Sequence, residues 1–384
     1  MKVKLIILLY FSCHLVSAQE ENDFQKLFFF KKKDTSVFVK HELSLIFVGD
    51  IMGHLSQIKS AYHKRTRTYQ YDTIFSYMKP IFKSVDFTIA NLEVTLGTKP
   101  YSGYPSFSSP KELVIAAKKA GINVLVTANN HSYDKGKKGF KKTLKILDSL
   151  QILHTGTFYN PQQKNSVTPL IIEKNGIKIA VINFTYGTNG VKVVHPNIVN
   201  YLDTLTIQKS ISKAKLKHPD KIIAFVHWGK EYKDAPSKNQ QKLNAFFNKN
   251  GVDIVVGSHP HVVQPILFSE NEGVQTRKLV AYSLGNFVSH QRAFRKDGGV
   301  VLQLTFAKKN KKTIIKNSAY ILTWVYVPKI KKKKYYLVLP ASKFENNPTF
   351  FEDEKAFLKM KKFITHARNL LNKDINAVLE KKIN

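Results

Sequence analysis

The chain contains a single cysteine, Cys13, among its 384 residues. One thiol cannot form an internal disulfide. Acidic side chains are scarce too, because 27 Asp and Glu residues stand against 61 Lys and Arg residues. Beyond the N-terminus, no apolar run approaches the roughly 20 residues of a membrane-spanning helix. These absences exclude a disulfide-stabilised scaffold, argue against a membrane-spanning fold and leave a strongly basic chain.

What the sequence has in abundance is positive charge, with a net value of +34, and aromatic residues, with 26 Phe and 17 Tyr. Its hydrophobic fraction of 43% indicates a globular fold. The charge is compatible with nucleic acid, an anionic cell-surface polymer or anionic lipid as a partner. It also fits a compositional bias of the source genome, because the lysines are spread along the whole chain. No nucleic-acid recognition motif is present, so we expect no specific nucleic-acid partner and at most peripheral contact with a membrane.

A secretory signal peptide is predicted over residues 1–18. Lys2 and Lys4 precede an apolar stretch at residues 5–16, and a small-residue cleavage site follows at residues 16–18 (VSA). An uncleaved membrane anchor is the alternative, but the apolar stretch is shorter than a bilayer requires. We therefore expect an extracytoplasmic protein, in the periplasm, at the cell surface or secreted.

Cleavage after Ala18 would remove Cys13 and leave a mature chain without cysteine, which excludes thiol catalysis. Cys13 could instead accept a lipid. However, the preceding Tyr10-Phe11-Ser12 lacks the small, aliphatic character expected at such a site. The polar residues 19–41 are interpreted as a linker or arm.

From residue 42 the pattern alternates between apolar strands and helices, which is typical of an α/β domain built from βαβ units. Strand pairs, including a hairpin with an Asn175-Gly176 turn, indicate two stacked sheets. We predict one such domain over residues 42–307.

After residue 307 the sequence changes to Lys-rich turns, short apolar strands and two helices, predicted near residues 351–371 and 374–382. We interpret residues 308–384 as a small α+β extension that packs on the core. We expect this extension to contain no catalytic or ligand-binding chemistry.

Metal-ligand side chains follow three of the apolar strands at the point where each strand ends. Residues 45–50 (LIFVGD) end on an aspartate, residues 125–131 (LVTANNH) on Asn-Asn-His, and residues 254–261 (IVVGSHPH) on His-Pro-His. The carboxyl ends of parallel strands meet at one edge of an open α/β sheet, where ligands bind. We therefore expect these side chains, with Glu93 and His227 from two further strand ends, to form one site.

The His259-Pro260-His261 segment is the densest of these clusters. In an extended segment, residues i and i+2 point to the same side, and a proline biases the preceding residue towards extended geometry. Both imidazoles are therefore predicted to converge on one point, as metal ligation requires.

The predicted ligand set combines two carboxylates with four neutral donors. Its members are Asp50, Glu93, Asn130, His227, His259 and His261. Taken singly, such residues have simpler explanations, as helix caps, polar turns or packed histidines. Their joint position after strand ends favours a metal site. Two divalent ions carry more charge than two carboxylates cancel, so the site favours anionic substrate oxygens.

His131 follows the predicted ligand Asn130 and is not itself needed as a ligand. An imidazole in this place is suited to protonate a leaving group or to stabilise a developing oxyanion. We therefore predict His131 as the catalytic residue.

Six short motifs follow one another along the chain. They are Gly49-Asp50-Ile51-Met52, Asn91-Leu92-Glu93, Ala128-Asn129-Asn130-His131-Ser132, His227-Trp228-Gly229-Lys230-Glu231-Tyr232, Gly257-Ser258-His259-Pro260-His261-Val262-Val263-Gln264-Pro265 and Tyr282-Ser283-Leu284-Gly285-Asn286-Phe287. In this order they resemble the signatures of the CapA family of bacterial capsule-synthesis proteins, which are linked to poly-gamma-glutamate. That family is similar to calcineurin-like metallophosphoesterases, so the resemblance implies a four-layer α/β/β/α sandwich.

The resemblance also implies a dinuclear site with two divalent ions, such as Mn, Fe, Zn or Mg. The implied roles are Asp50 on one ion, Glu93 as the bridge, Asn130 and His227 on the second ion, and His259 and His261 to complete the shell. The sequence itself does not distinguish between these metals.

This chain departs from the phosphoesterase pattern at two positions. Met52 stands where those enzymes have a histidine, two residues after the first aspartate, and the nearest histidine is His54. Glu93 stands where they usually have a bridging aspartate, and its side chain is longer by one methylene. His54, Asn91 and Asn286 are added as residues that could contact metal or substrate.

Two functions agree with these features. The first is a metal-dependent hydrolase or transferase that acts on an anionic cell-surface polymer, similar to poly-gamma-glutamate, or on its phosphorylated precursor. The second is a non-catalytic, polyanion-binding subunit of a capsule synthesis or export complex. An intact ligand set favours the first, whereas the basic charge suits both.

The signal-peptide prediction can be tested on protein purified from the cell envelope. N-terminal sequencing should begin at Gln19, because cleavage after the small-residue site removes the first 18 residues. A lipid on Cys13, or an intact Met1, would show that the N-terminus is processed differently.

Overall fold

The computed structural model of the protein describes residues 41–269, 278–373 and 378–383. The predicted signal peptide, Cys13 and the linker up to residue 40 lie outside the described residues and stay predictions. Within the described ranges, no helix is both long enough and apolar enough to cross a membrane.

The described residues form many strands and shorter helices that alternate along the chain. The strands are β1 (Glu42–Ile51), β2 (Tyr62–His63), β3 (Thr68–Tyr69), β4 (Phe87–Leu92), β5 (Thr95–Leu96), β6 (Ser108–Ser109), β7 (Val124–Val126), β8 (Leu153–Thr155), β9 (Thr157–Phe158), β10 (Leu170–Lys174), β11 (Ile177–Thr185), β12 (Ile198–Val199), β13 (Lys221–His227), β14 (Ile254–Ser258), β15 (Ile266–Ser269), β16 (Lys278–Ala281), β17 (Asn286–Val288), β18 (Gly298–Lys309), β19 (Lys312–Tyr326), β20 (Lys329–Ile330), β21 (Lys333–Lys334) and β22 (Leu337–Pro340). The α-helices are α1 (Leu55–Ala61), α2 (Lys79–Lys83), α3 (Glu112–Ala120), α4 (Gly136–Ser149), α5 (Pro161–Val167), α6 (Thr204–Lys215), α7 (Lys238–Lys249), α8 (Ala341–Phe344) and α9 (Glu354–Leu371).

Two large sheets carry the fold. The first has the order β22-β19-β18-β1-β4-β7-β8, with β17 paired to the end of β1, and the second has the order β10-β11-β13-β14-β16-β15. In the first sheet β1, β4, β7 and β8 are parallel. In the second sheet β11, β13, β14 and β16 are parallel. Each sheet therefore has a parallel half whose strands end at the same edge.

Three apolar cores separate four layers. The core between the sheets contains Phe47 from the first sheet and Phe225 from the second. The outer face of the first sheet packs on a core that includes Leu113 of α3 and Leu147 of α4. The outer face of the second sheet packs on α6 and α7, with Phe247 in its core. Because successive residues of a strand face opposite sides, each sheet buries both faces. The predicted four-layer α/β/β/α sandwich is confirmed.

The hairpin predicted at Asn175-Gly176 is present between β10 and β11. Both turn residues have positive φ values, 53° and 75°, which is the geometry that Asn-Gly sequences favour. The parallel pairing of β11 with β13 then starts the crossover pattern of the second sheet.

The residues after 307 complete the first sheet rather than sit beside it. The boundary predicted between residues 307 and 308 falls inside β18, which pairs with β19 over nearly its whole length. β22 pairs with β19 in turn, and α9 contributes Phe363 to the core between the sheets. The described part of residues 308–384 is therefore continuous with the sandwich.

Of the two helices predicted near the C-terminus, the structure confirms the first and contradicts part of the second. The one predicted near residues 351–371 is present as α9. The one predicted near residues 374–382 is wrong for residues 378–382, which are not helical. There the backbone pairs with β19, since Tyr320 N donates to the Leu379 carbonyl at 3.0 Å and Lys381 N donates to the Tyr320 carbonyl at 2.7 Å. Pairing with a free strand edge satisfies these groups without a helix.

Two glycines at strand ends allow a close backbone approach beside the ligand clusters. A Cβ atom on Gly49 would lie 2.1 Å from the carbonyl oxygen of Gly285, and one on Gly257 would lie 2.0 Å from that of Tyr282. The Asp50 amide donates to the same Gly285 oxygen at 3.1 Å. Any larger residue at Gly49 would therefore push β1 away from β17.

We expect Gly49→Ala to lower the free energy of unfolding by at least about 1–3 kcal/mol, because the added methyl group has no space. Urea denaturation of the purified protein measures this change. Gly187→Ala is the matched control, since a Cβ there meets no atom within 4 Å, and it should stay within about 0.5 kcal/mol of the wild type. Equal midpoints for the two variants would contradict the close approach.

Candidate metal centre

Glu93 lies where the strand ends of the two sheets converge. Its side chain is fully buried, and neither carboxylate oxygen has a hydrogen-bond partner among the described residues. Oε1 lies 3.5 Å from Nε2 of His227 and 3.9 Å from Nε2 of His261. Glu93 belongs to two groups of possible ligands, one with His227 and His259 and one with Asp50 and His261, and the ligand atoms of each group lie within 4.8 Å of one another. If two ions bound here, a carboxylate shared by both groups would be available to each of them.

Asp50 is held by residues of three neighbouring segments. Asn91, its register partner in β4, donates Nδ2 to Oδ1 at 2.8 Å. Asn129 donates Nδ2 to Oδ1 of Asn91 at 3.1 Å and to the Leu92 carbonyl at 2.7 Å. Nδ1 of His261 lies 3.2 Å from Oδ2 of Asp50. Asn91 therefore orients Asp50, and its own amide oxygen is occupied by Asn129.

His227 is the last residue of β13, and both of its ring nitrogens have partners. Nδ1 lies 2.8 Å from Oγ of Ser258, its register partner in β14. Nε2 lies 2.8 Å from Oδ1 of Asn130, whose Nδ2 donates to Oδ1 of Asn189 at 3.2 Å. Nε2 of His227 therefore faces both the Asn130 amide oxygen and Glu93.

His259 and His261 converge by a different route from the one predicted. Their φ angles are 98° and 57°, so the segment is not extended and the extended-strand prediction is wrong. Left-handed backbone at non-glycine residues is strained by about 1–3 kcal/mol each, and such residues cluster at functional sites. The Tyr232 amide donates to the Pro260 carbonyl at 2.8 Å and fixes the turn. The two imidazole centroids lie 6.0 Å apart.

His131 lies beside this cluster with its ring fixed by Asp134. Nδ1 lies 2.8 Å from Oδ2 of Asp134, and that carboxylate oxygen also accepts the Phe107 amide at 2.6 Å. The imidazole meets the Phe107 ring edge-on at 4.6 Å between centroids. With Nδ1 directed at Asp134, Nε2 is the nitrogen available to a substrate.

His54 is not a member of either group of possible ligands. Its Nδ1 accepts the His290 amide at 3.2 Å, and its ring meets Phe107 edge-on at 5.1 Å. Burial lowers the pKa of His54 to about 4. The structure thus places His54 directly before α1, in contact with Phe107 and His290 and outside both groups of possible ligands.

Asn286 lies against His261 and is fully engaged by the protein. Its Oδ1 is 3.1 Å from Nδ1 of His261, and its Nδ2 donates to the Lys296 carbonyl at 2.8 Å and to Oε1 of Gln291 at 3.1 Å. These contacts make Asn286 a residue that orients His261.

The pKa values of the proposed ligand side chains are shifted in different directions by burial and by their neighbours. Burial lowers the pKa of His227 to about 3 and that of His259 to about 2. Burial, together with the negative charge of Asp50, raises the pKa of Glu93 well above its usual range. Burial alone would lower the pKa of His261, but the charge of Glu93 and the hydrogen bond to Asp50 raise it to about 9. Because metal ions bind neutral imidazole, His261 would release a proton on metal binding.

The donor set fits divalent cations. Both oxygens of Glu93 and Nδ1 of His259 are buried and have no hydrogen-bond partner among the described residues. Leaving a buried carboxylate without a partner costs several kcal/mol, which coordination would offset. Imidazole nitrogens mixed with carboxylate and amide oxygens suit Mn, Fe or Zn.

Four polar residues that hold the site were not predicted from the sequence. They are Asn129, Asp134, Asn189 and Ser258. Asn129 and Ser258 adjoin predicted residues, and the His-x-x-Asp spacing of His131 and Asp134 was a readable signal. Asn189 lies far along the chain from Asn130 and has no such signal.

The comparisons with known proteins show the family to which the chain belongs. The family model for the bacterial capsule synthesis protein PGA_cap matches residues 44–291, which include all the site residues described above. The chain belongs to this family. It is 32% identical to the capsule biosynthesis protein CapA of Bacillus anthracis over 283 residues, which cover 68% of this chain and 65% of that protein. It is 33% identical to the PGA biosynthesis protein CapA of Bacillus subtilis (strain 168) over 274 residues, which cover 69% of this chain and 68% of that protein.

The resemblance to the CapA family is thus confirmed, although the match spans only about two thirds of each curated relative. Similar solved structures include the NAD nucleotidase NadN of Haemophilus influenzae, with a TM-score of 0.47 and 15% identity over 89% of this chain and 65% of that chain. The calcineurin-like phosphoesterase YfkN of Bacillus subtilis has a TM-score of 0.42 and 14% identity over 87% of this chain and all of that chain. For this PGA_cap chain, the four-layer fold follows from the sheet order and the three cores.

We expect Glu93→Gln to bind fewer metal ions than the wild type and to be more stable than the wild type after chelation. The amide keeps the shape of Glu93 but removes the charge whose burial is unfavourable without a cation. Mass spectrometry of metal content and thermal denaturation with and without chelator measure the two effects.

Glu231→Gln is the matched control, because Glu231 is exposed and belongs to neither ligand group. It should retain the wild-type metal content. Full metal occupancy in Glu93→Gln, or in a His259→Ala/His261→Ala variant, would remove these residues from the ligand set.

Proposed function

We propose that this protein is a metal-dependent hydrolase or transferase that acts outside the cytoplasm on an anionic cell-surface polymer or its phosphorylated precursor. The observation that carries the proposal is Glu93, which is buried, belongs to both groups of possible ligands and has no hydrogen-bond partner among the described residues. A protein that only binds a polymer at its surface has no need of such a carboxylate in its interior. The extracytoplasmic location rests on the predicted signal peptide.

The chain supplies the ligands and the proton donor of this chemistry. Two divalent ions would be held by Asp50, Glu93, Asn130, His227, His259 and His261, and when bound they supply positive charge that attracts an anionic oxygen and activates water. His131 would donate a proton or hydrogen bond to the departing oxygen through Nε2. Asp134 holds the His131 ring through Nδ1, so it acts as a positioning residue.

We propose the class of substrate from the net charge of the chain and from the name of a similar protein. The net charge of +34 attracts polyanions over a long range, in addition to any direct contact. The Bacillus subtilis relative is called a PGA biosynthesis protein, which supports a polymer of the poly-gamma-glutamate type. Other subunits of a capsule synthesis or export complex are proposed as partners.

A second function is supported by the position of His54. Met52 occupies the place of the usual histidine, and His54 belongs to neither ligand group, so the ligand set is smaller than that of phosphoesterases. A reduced set is compatible with a non-catalytic subunit that keeps the site to bind polyanions. Such a subunit would need the surface charge but no proton donor.

The substitution His131→Ala separates the two functions. If the site is catalytic, the variant should keep its metal ions and fold but lose about 10²–10⁴-fold in turnover, the usual contribution of a general acid. The measurement is steady-state kinetics on the best substrate from a screen of phosphomonoesters, phosphodiesters and gamma-glutamyl compounds. Asp134→Asn should show a smaller loss and a changed pH profile, since it acts through His131.

Circular dichroism and metal analysis provide the control that the variants are folded and loaded. Full activity in His131→Ala would end the catalytic assignment of this residue. If the metal-loaded wild type hydrolyses no compound of the screen, the binding-subunit function becomes the better account.

A further inference from the structure

A basic surface surrounds α1, the helix that begins directly after His54. Two adjoining cavities of about 890 Å³ and about 710 Å³ flank this helix, and both are lined by Lys59, Tyr62 and Lys64. The hairpin of β20 and β21 forms the far wall of the second cavity. We name this surface the α1 groove and define it by Lys59, Tyr62, Lys64, Arg65, Lys332 and Lys334.

The α1 groove concentrates cations without acidic partners. Seven of the side chains that line its second cavity are Lys or Arg, and none is Asp or Glu. Lys59, Lys64, Arg65 and Lys332 are exposed. None of these four takes part in an ion pair with another described residue. Their charges are therefore available to an anionic ligand.

The turn between β20 and β21 places lysines where the backbone does not favour them. Lys331 and Lys332 have φ angles of 47° and 65°, which are left-handed values. A two-residue turn of this geometry prefers Asn-Gly, the pair that this chain uses at Asn175-Gly176. Lysine at both positions is strained, so the hairpin presents charge at some loss of local stability.

Tyrosine rings form the apolar part of the same groove. The centroids of Tyr62 and Tyr69 lie 5.2 Å apart, and those of Tyr69 and Tyr101 lie 5.3 Å apart at nearly a right angle. Lys99 lies over the Tyr101 ring at 5.9 Å. Cations alternating with aromatic faces suit a chain in which carboxylates alternate with methylene groups.

The α1 groove lies beside His54, whose ring contacts Phe107, and Phe107 contacts the His131 ring in turn. Ser56, which lines the second cavity, accepts a hydrogen bond from the Tyr336 hydroxyl at 2.9 Å. The same hydroxyl lies 2.5 Å from Nδ1 of His290, whose amide donates to His54 at 3.2 Å. Because α1 has seven residues, the groove extends about 10 Å from His54.

We propose that the α1 groove binds an acidic polymer chain, with carboxylates on a methylene-containing peptide backbone, and leads one end of it to the metal centre. This inference rests on the proposed function, because it assigns the polymer of that function to a particular surface. The lysines and Arg65 pair with successive carboxylates, while the tyrosine rings contact the methylene groups. The open, elongated shape suits a flexible chain better than a compact anion.

The test compares two triple variants that lose the same charge. The groove variant is Lys59→Gln/Lys64→Gln/Lys332→Gln, and the control is Lys309→Gln/Lys311→Gln/Lys312→Gln. The control lysines are also exposed, and they lie at the β18–β19 turn, beyond the opposite end of β1 from Asp50. That separation is about 30 Å along the strand. Each control lysine, like those in the groove, forms no ion pair with a described residue.

The probe is a fluorescein-labelled oligomer of about 20 gamma-linked glutamates, and fluorescence anisotropy of the mature protein after chelation measures its Kd. Three lost surface ion pairs should raise the Kd about tenfold in the groove variant. The control should change less than twofold at physiological salt, where distant charges are screened. The groove variant should also show a weaker dependence of Kd on salt.

Equal weakening in both variants would show that net charge alone attracts the polymer, and it would overturn the groove. Unchanged binding in the groove variant would do the same. A single-stranded oligonucleotide of matched charge that binds the wild type more tightly would overturn the ligand class. Since binding is measured without metal, absence of turnover in the loaded enzyme would count against the proposed function and not against the groove.

Discussion

The burial of a carboxylate with no hydrogen-bond partner in the described part of the chain is the constraint around which this structure is arranged. Glu93 is fully buried, and its pKa is raised because burial and the nearby Asp50 both disfavour its charge. Its nearest described partners are the Nε2 atoms of His227 and His261, at 3.5 Å and 3.9 Å, and a buried ion pair of this kind does not repay the loss of solvation. The residues around Glu93 are nitrogen and oxygen donors, and two of them, His227 and His259, are neutral at physiological pH because burial lowers their pKa values. The interior is therefore organised for cations rather than for apolar packing.

The parallel strands of both sheets position the side chains around Glu93. β1, β4 and β7 end at one edge of the first sheet, and β13 and β14 end at the facing edge of the second. Neither sheet alone has the full set of donors, because the histidines 227, 259 and 261 come from the second and the carboxylates from the first. The core between the sheets fixes their separation, so core packing and site geometry are coupled.

Backbone strain is located at the same edge. His259 and His261 have left-handed φ angles, and the stability of the rest of the fold offsets the strain of these two residues. The close backbone approaches at Gly49 and Gly257 allow the strand ends to meet. On the surface beside α1, Lys331 and Lys332 occupy a turn that disfavours lysine. The exposed Lys59, Lys64 and Arg65 form no ion pair with another described residue. His54 lies between the two regions, because its ring contacts Phe107 beside His131 and α1 begins directly after it.

The sequence by itself determined the layered α/β architecture, the Asn175-Gly176 hairpin and the convergence of the six proposed ligands with His131. Hydrophobic periodicity and the position of a residue at the end of a strand are local properties, so both can be read directly from the sequence. Only the tertiary structure decided the rest. The left-handed turn at His259 and His261, the support of Asn130 by Asn189 and the place of His54 depend on contacts between segments far apart in the chain. Likewise, residues 378–382 pair with β19 instead of forming a helix, because the free edge of a strand offered backbone partners that no local pattern encodes.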